Sequence, residues 1–174
     1  MPTWVVTIKA NLSENVCQLR PKEGRTLWAF KVRCESCQAI TPNFIEIDSE
    51  ESIEVNGGTA NASYKCKDCK GLMSASIVTN ENNIKKLFGC TSIPSTKNPE
   101  SGVPVLAIDM RGCAPEEFGL DDAWTLVCGE VDEEGQVTGG ELEDVDLREE
   151  VSDYDEKSGN AVSFGELAIT FERK

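Results

Sequence analysis

Two Cys-x-x-Cys pairs, Cys34-Glu35-Ser36-Cys37 and Cys66-Lys67-Asp68-Cys69, constrain this chain more than any other feature. The 28 residues between them exceed the ~15–20 of a short zinc ribbon, but suit an intervening hairpin or longer excursion. Each pair sets two sulfurs on one side of a tight turn, and two facing turns close a tetrahedron with metal–sulfur distances of about 2.3 Å. Cys34, Cys37, Cys66 and Cys69 are therefore the expected ligands of one zinc ion. Gly71, two positions after Cys69, is expected to take the positive φ that turns backbone N–H groups toward the sulfurs. Two other readings stay open: buried free thiols, and a pair that cycles between dithiol and disulfide. The redox reading favours one pair at a helix N-terminus, whereas both pairs here follow strand-like segments.

The chain has no histidine among its 174 residues. That removes Ser-His and Cys-His nucleophile activation and every imidazole-containing zinc site. Four thiolates also leave zinc no open position for water, so the site is expected to be structural and the chain not an enzyme.

Hydrophobic periodicity is mostly two, the signature of half-buried strands. Trp4, Val6 and Ile8 alternate with polar neighbours, as do Trp28, Phe30 and Val32, and again Leu167, Ile169 and Phe171. Further strands are predicted at 43–48, 60–65, 72–78, 104–110 and 123–128. Helix signals are few: a turn or two over Asn82–Phe88, and a short turn over Glu116–Leu120 after Pro115. The predicted class is mostly β with few short helices.

Pro94, Pro99 and Pro104 punctuate residues 91–104, which are read as a linker between a zinc-binding β lobe, 1–90, and a metal-free β lobe, 105–174. Each lobe runs a strand into a cysteine and then a Gly turn into another strand, the outline of an internal repeat. Of 17 basic and 31 acidic residues, 5 and 21 lie in 99–174, leaving 12 and 10 before it. The second lobe thus carries the acidity behind the net charge of −14. This balance argues against nucleic acid and anionic lipid as partners. Another protein is expected instead, bound by a monomer in the cytoplasm, with the nucleus as the other setting. The alternative function is thiol redox or metal transfer through the cysteine pairs.

Lys31, Arg33, Lys65, Lys67 and Lys70 flank the two pairs. Such a basic collar would offset the dianion of a tetrathiolate zinc, and the same residues also fit outward-facing strand positions. Cys17, Cys90, Cys113 and Cys128 lack metal spacing, and Cys128, ending an apolar run, is read as core. Residues 130–141 superficially fit a calcium loop, but Glu130 stands where Asp belongs, and an acidic turn between strands is the better reading.

Seven segments in order carry a family likeness. They are Leu19-Arg20-Pro21, Phe30-Lys31-Val32-Arg33-Cys34 with Cys37, Gly57-Gly58 through Ala62-Ser63, and Lys65-Cys66-Lys67-Asp68-Cys69; then Arg111-Gly112 with Pro115 and Phe118, Asp146-Leu147, and Asp153-Tyr154-Asp155-Glu156-Lys157. On them the chain resembles the eukaryotic CXXC-motif-containing zinc-binding protein family. The resemblance implies zinc on the four cysteines and no enzymatic activity. It also implies a duplicated fold of two barrel-like or sandwich-like halves about a pseudo-twofold axis, one of them metallated. The chain departs from the family pattern at Met110-Arg111-Gly112, where a cysteine is expected first and is displaced instead to Cys113.

Overall fold

The structure, a computed structural model, describes residues 2–94 and 98–174. The chain runs β1 (Thr3–Glu14), β2 (Val16–Pro21), β3 (Leu27–Cys34), β4 (Ile45–Asp48), β5 (Ile53–Val55), β6 (Gly58–Ala60), β7 (Ala62–Lys65) and β8 (Leu72–Ile77) into α1 (Glu81–Phe88). A 3-10 turn, Pro99–Ser101, then leads to β9 (Val103–Arg111), β10 (Cys113–Phe118), β11 (Trp124–Cys128), β12 (Glu141–Val145), β13 (Val151–Asp155) and β14 (Asn160–Arg173). The mostly β class holds, built on a curled, half-barrel sheet.

That sheet has six strands in the order β13-β14-β1-β9-β8-β7, and two three-stranded sheets, β10-β3-β4 and β12-β11-β2, complete the enclosure of the core. β5 and β6 form a separate hairpin whose turn, Asn56-Gly57, puts both residues at positive φ, the geometry a two-residue hairpin turn requires. The predicted boundary at 91–104 divides the sequence but not the sheets. β1 lies between β14 and β9, β3 pairs with β10, and β11 pairs with β2, so three of the four sheets join strands from both sides. Residues 95–97 of that segment lie outside the described residues, and Pro99–Ser101 beside them packs along β1.

One apolar cluster fills the interior. The alternation in β3 puts Trp28, Phe30, Val32 and Cys34 inside, against Ile47 of β4 and Phe118 of β10. Trp124 stands edge-on to both Trp28 and Phe118 at about 6 Å between ring centroids, a preferred aromatic geometry. Val6, Ile8 and Ala10 of β1 supply the core face of the large sheet, and α1 covers its other face by setting Ile84 on Val78 and Ala107. Asn80 caps α1, its side chain accepting from the N–H groups of Asn82 and Asn83, and Gly89 ends it in the left-handed conformation.

The predicted helical turn at Glu116–Leu120 is not formed. Residues 113–118 are strand, with Glu117 opposite Lys31 and Phe118 opposite Phe30. Pro115 sits at the register shift of this ladder, the place a strand accommodates proline.

Candidate metal centre

Each cysteine pair sits at the end of a strand, and the two turns are built alike. In the first, Cys34 N–H donates to Ala39 O at 2.8 Å and Gln38 N–H donates to Cys34 O at 2.9 Å. The second repeats this five residues and four residues on: Cys66 N–H to Gly71 O at 2.9 Å, and Lys70 N–H to Cys66 O at 3.0 Å. The fourth residue after the first cysteine is left-handed in both, Gln38 at φ 66° and Lys70 at φ 63°. This corrects the role expected of Gly71, which is not among the residues at positive φ. Gly71 serves by its lack of a side chain: its N–H donates to Cys69 Sγ at 3.4 Å, where a Cβ would crowd the sulfur.

The two turns face each other and bring the four predicted ligands together. All four sulfurs lie within 4.8 Å of one another. The short separations cross between turns, Cys34 Sγ to Cys69 Sγ at 3.6 Å and Cys37 Sγ to Cys66 Sγ at 3.5 Å. A tetrahedron with metal–sulfur bonds of about 2.3 Å has edges of about 3.8 Å, so the donor set fits a zinc ion. In each turn the first cysteine is buried and the second exposed.

The thiols divide in the same way. N–H groups of Cys37 and Ser36 aimed at Cys34 bring its pKa down to about 7. Those of Cys69 and Asp68 lower Cys66. For Cys69, the Gly71 N–H pulls down but the Cys34 sulfur and burial outweigh it, and the pKa rises. Cys37 rises likewise against the pull of Ala39 N–H. Four thiols this close cannot all ionise without a cation, and a bound metal would displace the protons they keep.

The second part of the chain reaches the site through Gly112, at φ 76°, whose carbonyl accepts from Glu35 N–H at 3.0 Å. Cys113 follows, opposite Cys34 in the β10–β3 ladder; its buried thiol, pushed up to about 12 by desolvation, is not one of the clustered four. Of the expected collar, Lys31 pairs with Glu117 and Arg33 with Glu116, both at 3.1 Å, while Lys70 Nζ donates to Lys67 O. The strand-face reading therefore holds for the two residues on β3. Cys128 is fully buried in the core, and residues 129–140 form the turn between β11 and β12. Gln38 is the site residue the sequence did not single out, and it carried no local signal; Lys70 and Gly112 stand in the basic collar and in the family-likeness segments, but not for the left-handed backbone each adopts here.

The family model for "CXXC motif containing zinc binding protein, eukaryotic" matches residues 5–172. The chain belongs to this family. A CXXC motif containing zinc binding protein of Homo sapiens is 28% identical over 167 residues, covering 94% of each chain, and one of Xenopus laevis is 26% identical over 98% of each. A UPF0587 protein of Nematostella vectensis is 32% identical over 89% of this chain and 88% of its own. Among solved structures, the crystal structure of C1orf123 superposes with a TM-score of 0.76 at 24% identity over 99% of both chains. A hypothetical protein from Plasmodium falciparum gives 0.67 at 22%, covering 99% of this chain and all of the other. At these identities the two structures speak for the fold. Family membership and the clustered thiols together support zinc binding.

Proposed function

We propose that Cys34, Cys37, Cys66 and Cys69 hold one zinc ion as a structural staple, and that the surface it shapes binds another protein. The carrying observation is that two like-built turns bring four thiols within 4.8 Å of one another. Zinc saturated by four thiolates offers no place for a reacting water, and a chain without histidine lacks the commonest general base; both favour a binding module over an enzyme. All eight cysteines are free, in keeping with the cytoplasm or nucleus. Native pull-down with the zinc-loaded chain should retain a stoichiometric polypeptide. Recovery of bait alone at both low and moderate salt would contradict the protein-binding role.

We also read the fold as an internal duplication with exchanged strands. Pairing β1, β2, β3, β4, β7 and β8 with β9, β10, β11, β12, β13 and β14 in turn leaves the six-stranded order unchanged when reversed. The same exchange converts β10-β3-β4 into β2-β11-β12. Under this reading only the first repeat carries cysteine pairs. A chain cut between residues 90 and 105 should yield halves that fold only when mixed, and independent folding of either would contradict it.

A further inference from the structure

The C-terminal part of β14 is an open sheet edge. β13 covers β14 only from Asn160 to Phe164. Beyond Phe164, β14 has β1 on one side and, among the described residues, no strand on the other. Lys174 N–H donates to Thr3 O, which fixes the alternation of the ladder. Ala168, Thr170 and Glu172 turn their backbone groups toward β1, so Leu167, Ile169, Phe171 and Arg173 turn theirs outward.

Exposed edges normally carry a proline, a bulge or an inward charge that blocks pairing. From Leu167 to Arg173 there is no proline and no positive φ, the last such residue being Glu166 at φ 51°. Leu167, Ile169 and Phe171 pack on the core yet stay half-buried, so this edge also leaves apolar surface uncovered.

We propose that β14 pairs antiparallel with β14 of a second copy about a twofold axis at Thr170, joining the two six-stranded sheets. The segment is complementary to itself in this register. Ile169 faces the partner's Phe171 twice, an aromatic against a β-branched side chain, and Thr170 meets the partner's Thr170 at the axis. Glu166 faces the partner's Lys174 at both ends. Centring on Ile169 instead would set Glu166 against the partner's Glu172 twice, and a one-residue slip would turn apolar positions to the wrong face. This departs from the monomer expected from the sequence. The net charge of −14 opposes association at long range, so added salt should raise the dimer fraction.

The test is sedimentation of the zinc-loaded wild-type chain over a concentration series, combined with disulfide trapping. Thr170 and its copy form a non-hydrogen-bonded pair with Cα atoms about 4.5 Å apart, inside the roughly 4.4–6.8 Å a disulfide spans. Ala168 and its copy stand four residues, about 13 Å, out of step along the strands. Wild type should sediment at twice the chain mass at high concentration, and oxidised Thr170→Cys should give a dimer whose peptide map shows residue 170 joined to itself, with Ala168→Cys as background. Thr170→Lys should return the chain to single copies. Wild type that sediments as a single copy throughout overturns the proposal, even if Thr170→Cys cannot be folded. So does a Thr170→Cys cross-link no stronger than that of Ala168→Cys, or a different polypeptide found on β14.

Discussion

Gly71 and Cys69 are coupled through one hydrogen atom: the Gly71 N–H donates to Cys69 Sγ at 3.4 Å, and a Cβ on Gly71 would stand 3.2 Å from that sulfur. Gly71→Ala must therefore move the Cys69 sulfur or its donor. Groups that orient ligands are worth about 10- to 100-fold in metal affinity, so chelator competition should show a loss of at least about 10-fold. Lys70→Gly, at φ 63°, keeps the backbone conformation available and should leave affinity nearly unchanged.

Cys66→Ala removes a buried thiol of the cluster at the end of β7, and if the cluster holds zinc, metal-binding energy is folding energy there. A loss of about 3 kcal/mol would lower Tm by roughly 6–12 °C in a chain of this size. Thermal unfolding should show that drop or more, and chelator should add little to it. A variant as stable as wild type would show that the thiol cluster does not hold the fold.

Gly112 joins the metal turn to β8 and to the β9–β10 corner. A Cβ there would lie 2.6 Å from Leu72 O, and its φ of 76° is strained for any L side chain. Gly112→Ala should cost on the order of 1–3 kcal/mol or more, read as a lower denaturation midpoint with an unchanged slope.

Asp155 ties the β13–β14 turn to the loop before β12. Its carboxylate accepts from the Ser158 hydroxyl and from the N–H groups of Gly140 and Lys157, and these bonds hold its pKa below the ordinary 3.8. A lowered folded pKa means that the unfolded chain binds more protons, so this stabilisation is full well above pH 3.8 and is lost as pH falls through the folded value. Asp155→Asn should reduce stability at neutral pH and flatten the acid limb of the stability profile. Parallel acid limbs in variant and wild type would contradict the assignment.

The clustering of the four cysteines was legible because Cys-x-x-Cys spacing is a local signal, and the central strands because Trp28, Phe30 and Val32 alternate with solvent-facing residues. β2 was missed because its register shifts opposite Val127 and Cys128, leaving Val16 and Leu19 buried at a spacing of three rather than two. β12 and β13 were missed because each buries a single residue, Val145 and Asp155, within acidic runs. The crossing of strands between the chain's two parts was hidden for another reason. Pairs such as Trp4 with Ile108 and Cys34 with Cys113 depend on contacts remote in sequence, to which periodicity is blind. Gln38 and Lys70 gave no warning of left-handed geometry because neither is glycine or asparagine.

Metal content measured together with thiol protection tests the zinc staple most directly. Native mass spectrometry of protein purified without chelators should give one zinc per chain, with Cys34, Cys37, Cys66 and Cys69 resisting alkylation until the metal is stripped. A metal-free chain, or one with disulfides inside the Cys34–Cys37 and Cys66–Cys69 pairs, would contradict the account.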